Sequence, residues 1–170
     1  MRSLFILRHA KSSWDDPRLA DFDRPLAPRG RRAAAAMGAY LRTEGVTPDL
    51  ALCSTARRAR ETFAFVSAES EGDVPVRFLR ELYAASPGDL LHQIGQIPDS
   101  VRRLLLIGHN PAVGQLAIAL ASGGDADALK GLRAKYPTGA LTMLTFDAGG
   151  WADITAGGRL ERFVRPADLA

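Results

Sequence analysis

The chain has 170 residues, 46% of them hydrophobic and 24% charged, which excludes a disordered or low-complexity protein and is enough for one core without a second domain. Lysine and arginine exceed aspartate and glutamate by 22 − 19 = 3; this mild excess suits an anionic substrate or partner and lacks the basic, aromatic-interleaved stripe of a nucleic-acid binder. A single cysteine, Cys53, excludes an internal disulfide and a cysteine metal cluster; with neither a secretory leader nor a membrane-length apolar run to read, no membrane partner is expected and the cytoplasm is the expected compartment.

The first element is a strand: residues 3–8, SLFILR, form a continuous apolar run suited to burial on both faces. It stops on Arg8 and His9. After a polar loop, Pro28 and Gly30 introduce a helix in which Ala33, Ala36, Met37, Tyr40 and Leu41 recur at helical spacing up to Gly45. DLALCS (49–54) reads as the second strand, and from Thr55 to Ser67 a second helix carries the stripe Ala59, Thr62, Phe63, Val66. VRFLREL (76–82) is a third strand, and 87–97, with Leu90, Leu91, Ile94 and Ile97, a third helix. RLLLIGH (103–109) is the most apolar strand, followed by a helix through Val113, Leu116, Ala117 and Leu120. The tail offers GALTMLTF (139–146) and a short last strand around LERFV (160–164). Strands alternating with helices predict an α/β fold of three layers, a mostly parallel sheet with helices on both faces, in a single domain over 1–170 with no inserted cap domain.

Ligands of such sheets sit outside the carboxyl ends of the strands, so the residues on which each strand ends carry the functional information. The first delivers Arg8 and His9, the second Ser54 with Arg57 and Arg58 beyond it, the third Glu81, and the fourth His109. One histidine at a strand end is ordinarily structural. Four strands sending arginine, histidine and glutamate to one edge describe a site, and its chemistry is that of phosphoryl transfer: arginine is the planar, permanently charged partner of phosphate oxygens, and neutral imidazole is a nucleophile. Arginines in a helix's first turn oppose the helix dipole unless an anion offsets them. Arg58 borders the apolar stripe, whereas Arg57 can pair with Glu61 at i, i+4 on the solvated side. Asn110 and Pro111 read as an N-cap and first-turn pair that aims His109 at the site.

LRHA, RPLAPRG (24–30), CSTARRARET (53–62), REL (80–82) and IGHNP (107–111) together resemble the histidine phosphatase superfamily, whose fold is phosphoglycerate mutase-like, and most closely its small phosphohistidine phosphatase (SixA-like) branch. The resemblance implies a metal-independent phosphatase without cofactor, in which His9 becomes phosphorylated and Arg8, Arg58 and His109 complete the phosphate pocket. It places Glu81 where larger members carry an acidic proton donor, and it departs from the family at Ala10, where glycine is usual; an alanine there implies an ordinary backbone rather than a positive φ. Ser13, with Lys11 and Ser12, follows the nucleophile and is a candidate phosphate contact. Two neighbouring cations are expected to lower the pKa of His9 and keep it neutral. The expected partner is a protein bearing phosphohistidine, with a small phosphate ester as the alternative substrate and a non-catalytic phosphoprotein-binding module as the alternative class.

Other chemistries fit less well. A cysteine phosphatase needs an arginine where the spacing from Cys53 gives Ala59. Asp15, Asp16, Asp21 and Asp23 lie in a loop broken by Pro17 and Pro25 and read as a solvated rim. His92 falls within a helix, and no spacing among His9, His92 and His109 matches a zinc motif.

Overall fold

Alternate residues of a strand face opposite sides of a sheet, so a strand that is apolar at every position must be covered on both. In the computed structural model, which describes all 170 residues, the first strand, β1 (Arg2–Arg8), behaves this way: Leu4 and Ile6 enter one core, Phe5 and Leu7 the other. β2 (Leu50–Ser54) and β4 (Arg103–Gly108) divide likewise, with Leu52, Leu104 and Leu106 on the first side and Ala51, Cys53, Leu105 and Ile107 on the second. The first side is closed by α3 (Pro87–Gly95), α4 (Ala112–Leu120) and α5 (Ala126–Ala134), the second by α1 (Pro28–Thr43) and α2 (Arg57–Ala68). The remaining strands are β3 (Val76–Leu79), β5 (Ala121–Gly124), β6 (Leu141–Phe146) and β7 (Gly158–Val164). The seven run in the order β3-β2-β4-β1-β6-β7-β5, with β6 antiparallel to both of its neighbours and every other pair parallel. This is the expected three-layer, mostly parallel architecture. No helix is long and apolar enough to cross a membrane.

The third strand is shorter than its sequence suggests. The third strand stops at Leu79, and Arg80–Leu82 form a 3-10 turn. Its partner β2 ends where Ser54 pairs with Leu79, so nothing is left to extend the ladder through Glu81. Between α4 and β6 the chain forms β5 and α5, which the apolar pattern does not announce. β5 is the sequence ASGG, without an apolar pattern, held by its pairing to β7; α5 begins where the Asp125 carboxylate accepts the Ala128 N–H at 2.8 Å.

The buried face of α1 is Gly30, Ala34, Met37, Gly38 and Leu41, and Ala36 is exposed. Two glycines, weak members of an apolar count, set this face because the helix lies against backbone: a Cβ at Gly30 would stand 2.1 Å from the Lys11 carbonyl oxygen and one at Gly38 2.5 Å from that of Val66. Gly38 thus decides how closely α1 meets α2. Alanine is favoured by about 1 kcal/mol within a helix, but here the clash outweighs it. Gly38→Ala is expected to destabilise the protein by about 1–3 kcal/mol in denaturant unfolding, and an unchanged midpoint would contradict the close approach.

Candidate active site

Because β1, β4 and β2 are adjacent and in register, with Arg8 opposite Gly108 and Cys53 opposite Ile107, the residues that follow them emerge side by side. The His9 N–H continues the ladder to Gly108 O at 3.0 Å, and the rings of His9 and His109 lie 5.1 Å apart. Arg58, in the first turn of α2, is 6% exposed and directs its Nε at His9 Nε2 over 3.4 Å. The sheet edge therefore brings Arg8, His9, Ser54, Arg58 and His109 together.

The His9 ring is fixed by a 2.7 Å contact between Nδ1 and the Ala10 carbonyl oxygen. A carbonyl only accepts, so Nδ1 carries the proton and Nε2 keeps its lone pair toward Arg58. Ala10 has an ordinary φ, as expected, since no non-glycine residue adopts a positive one. Its N–H donates to Thr62 Oγ1 at 3.0 Å, and the Thr62 hydroxyl donates to the Arg58 carbonyl at 2.7 Å. The outer edge of Arg58 is held by Asp21: Nη1 donates to its carbonyl at 2.7 Å and Nη2 to its carboxylate at 3.0 Å. That carboxylate also receives Arg24 and, at 2.6 Å, the Tyr83 hydroxyl.

Arg8 donates from Nη1 to the Tyr136 carbonyl at 2.9 Å, and the Asn110 side-chain amide donates to the same oxygen at 3.0 Å. Asn110 lies one residue before the N-cap, which is Pro111, and its Oδ1 accepts the Gly114 N–H at 3.2 Å. The expected cap residue thus braces α4 from one position earlier and ties it to Arg8. His109 Nε2 meets Ser54 Oγ at 2.8 Å. Arg8 Nε, Thr55 Oγ1 and His109 Nδ1 are buried with no protein partner. Two of these orphaned groups belong to residues of the constellation and Thr55 follows Ser54, so the site itself holds unmet hydrogen-bonding capacity, as an anion-binding site does.

Glu81 is exposed on the 3-10 turn and lines a hollow with Asp89, His92 and Gln93. Tyr83, a little further along, is what reaches the site: its ring packs edge-on against His109 at 5.5 Å. Ser13 Oγ accepts the Asp15 N–H at 3.1 Å, and the Lys11 carbonyl accepts from Ala27 at 2.9 Å. Ser12 is buried and accepts Arg24 Nη1 at 2.7 Å. Arg57 pairs with Glu61 at 2.9 Å, as the spacing predicts. His92 is exposed and bonds Gln96. The aspartate loop is more than a rim: Asp16 pairs with Arg18, and Asp21 anchors Arg58. The roles of Asp21, Tyr83, Thr62 and Arg24 in holding Arg58 and the His9 turn escaped sequence reasoning, because their partners are distant in the chain.

A hollow of ≈ 730 Å³ lies between α5 and β7 around Tyr40, Arg162 and Phe163, and none of Arg8, His9, Ser54, Arg58 and His109 lines it.

The family model described as histidine phosphatase superfamily (branch 1) matches residues 4–103. An uncharacterized protein of Mycobacterium tuberculosis is 44% identical over 153 residues, which cover 89% of this chain and 93% of that one. Among solved structures, a protein assigned as phosphohistidine phosphatase SixA from Nakamurella multipartitia superposes with a TM-score of 0.84 at 30% identity, over 97% of this chain and 96% of that one. One from Agrobacterium tumefaciens with the same assignment gives 0.82 at 29% identity, over 97% and 98%.

Burial is the main force on both histidines. It lowers His9 to about 3, with His109, Arg58 and Arg8 adding to it in that order, and it lowers His109 to about 4 with the help of Arg58 and Arg8. The neighbouring cations therefore act in the expected direction but are secondary to desolvation. Asp21 is held well below the usual carboxylate range, first by Tyr83 and then by Arg24 and Arg58. Depressed histidine values mean that the unfolded chain takes up protons below about pH 6.5 while the folded site does not. Stability is complete above that pH and is lost as pH falls toward about 3 to 4. Removing one such group, in His9→Asn, should flatten the stability–pH slope between pH 6.5 and 4 by about 1.4 kcal/mol per unit; parallel curves for the two proteins would contradict a buried neutral His9.

Proposed function

The chain belongs to the histidine phosphatase superfamily and is a phosphatase of the SixA-like kind; we propose that its substrate is phosphohistidine on a protein and that His9 carries the phosphoryl group from substrate to water. The observation behind this reading is the state of His9, a buried neutral imidazole with Nδ1 engaged by Ala10 and the Nε2 lone pair turned toward Arg58. Nε2 attacks phosphorus as the P–N bond of the substrate breaks, and the bonding pair leaves with the substrate imidazole, which takes a proton. Water then attacks phosphorus, the His9–phosphorus bond breaks, and phosphate departs. Arg8, Arg58 and His109 bind the phosphoryl oxygens, their fixed donors taking the charge of the transferring group. Ser13 keeps its hydroxyl hydrogen for a phosphate oxygen while its own oxygen accepts from Asp15.

Two features favour a protein substrate over a small ester. Between the 3-10 turn Arg80–Leu82 and β4 the chain builds only the short helix α3, so we read the single domain as uncapped and its site as open to a side chain presented by a bulky partner. Small polar substrates benefit from closure that excludes water. Moreover, a departing imidazole needs a proton less urgently than an alkoxide does, which suits a site where Asp21, the carboxylate on Arg58, is held ionised and Glu81 lines a hollow with residues of α3.

With labelled substrate and an acid-sparing quench, phosphate should appear on His9 within a single turnover, and His9→Ala should lose activity by a factor of about 10³ or more. A fully active His9→Ala, or wild type without label, contradicts the covalent role and leaves the binding-module reading. Arg8 and Arg58 already supply the positive charge that a metal brings elsewhere, with neutral His109 adding a hydrogen-bond donor, so chelator should leave the rate unchanged. The substrate class is tested by kcat/KM for a phosphohistidine protein against a panel of phosphate monoesters, in wild type and Glu81→Gln. Phosphohistidine should win and Glu81→Gln should keep its activity; faster turnover of a small ester that Glu81→Gln abolishes would make the protein a general phosphomonoesterase.

A further inference from the structure

We propose that Ser54 is a positioning residue that fixes which nitrogen of His109 carries the proton, so that His109 presents an N–H at Nδ1 to a phosphoryl oxygen. The role assigned to that N–H rests on the phosphatase reading above; the tautomer itself follows from donors and acceptors alone. Ser54 is 0% exposed, and its Oγ accepts the Ala56 N–H at 3.2 Å while lying 2.8 Å from His109 Nε2. A hydroxyl has one hydrogen to donate. The acceptor the structure offers it is His109 Nε2. Given there, the hydrogen requires a lone pair on Nε2, and a neutral His109 then holds its proton on Nδ1. The opposite arrangement, with Nε2–H donating to Ser54, strands the serine hydrogen and also the lone pair of the buried, partnerless Nδ1. Stranding two buried polar groups costs more than stranding one. In the favoured arrangement the single unmet group is the Nδ1–H, and a phosphoryl oxygen satisfies it.

The fold makes this device rigid. Ser54 is the last residue of β2 and His109 follows the last residue of β4, adjacent strands in one sheet, so their separation is set by strand pairing and not by a mobile loop. The Ala56 N–H occupies one lone pair of Ser54 Oγ, which restricts the hydroxyl rotor and leaves its hydrogen directed at the ring. His9 is held in the same Nδ1–H form by Ala10. One tautomer thus gives the two rings complementary faces: a lone pair at Nε2 of His9 and a donor at Nδ1 of His109.

The test is long-range ¹H–¹⁵N NMR of the histidine rings at pH 7. The chain has three histidines, assigned through His9→Asn and His92→Gln. Wild-type His109 should show the Nδ1–H tautomer. Ser54→Ala should move it toward Nε2–H, weaken inorganic phosphate binding about tenfold and lower kcat/KM by about tenfold or more; Ser54→Thr, which keeps the hydroxyl, should retain the wild-type tautomer. An Nε2–H tautomer in the wild type overturns the proposal without any variant. So does Ser54→Ala with unchanged tautomer and phosphate affinity. A wild type with the Nδ1–H tautomer but no turnover of any phosphate would overturn the phosphatase reading and leave the Ser54 assignment standing.

Discussion

One short hydrogen bond orders the rest of the site: the 2.7 Å contact from His9 Nδ1 to the carbonyl of the next residue, Ala10. It chooses the tautomer, sets the ring plane and leaves a single basic nitrogen, all from a partner that cannot move away because it belongs to the same turn. Ala10 is itself pinned, since its N–H goes to Thr62 and the Thr62 hydroxyl goes on to the Arg58 carbonyl. The turn that carries His9 and the helix that carries Arg58 are therefore one hydrogen-bonded unit. Displacing either end strands buried polar groups, which is far costlier than the net worth of any one of these bonds. An alanine in place of the family's usual glycine disturbs none of this, because the position has an ordinary φ and its methyl group is buried in the core beneath α1 and α2.

Charge is arranged around that unit with the same economy. Burial keeps both imidazoles neutral, so the fixed positive charge comes from Arg8 and Arg58. Asp21 offsets part of it, but from the outside: it takes the Nη atoms of Arg58 and leaves the Nε edge toward His9. The carboxylate is shared with Tyr83 and Arg24, and this keeps it ionised and attached. On the opposite flank the Tyr136 carbonyl receives both Arg8 and Asn110, so β1's terminal arginine and the start of α4 hold a common point. The net field favours an anion, and Arg8 Nε, Thr55 Oγ1 and His109 Nδ1 are buried beside it without a protein partner.

How far the sequence carried depends on what kind of signal each element leaves. The central strands were legible because burial on both faces demands an unbroken apolar run, and SLFILR and RLLLIG satisfy it. The residues on which those strands end were legible for a topological reason: parallel neighbours must send their carboxyl ends to one edge. What failed to register depends on tertiary pairing or on loops. β5 has no apolar pattern and exists through β7. The third strand looks longer than it is because its limit is the end of its partner, β2. The α1 face was misphased because Gly30 and Gly38 contribute by what they lack. Asp21 and Tyr83 lie 62 positions apart and meet only in the fold, which no local spacing reveals.

The same topology constrains what such a site can recognise. Arg8, Ser54 and His109 stand at or just beyond strand ends and Arg58 in the first turn of a helix, so the spacing of the cluster is set by strand pairing. The surroundings agree with a surface meant to be approached: Trp14 is 69% exposed and lies with the Arg24 guanidinium 3.5 Å from its ring centroid, while Arg24 in turn holds Ser12 and Asp21. An exposed aromatic plane is thereby connected, through one arginine, to the turn after His9 and to the carboxylate that holds Arg58. Contact at Trp14 and the placement of Arg58 beside His9 therefore share one side chain, that of Arg24, through the Asp21 carboxylate.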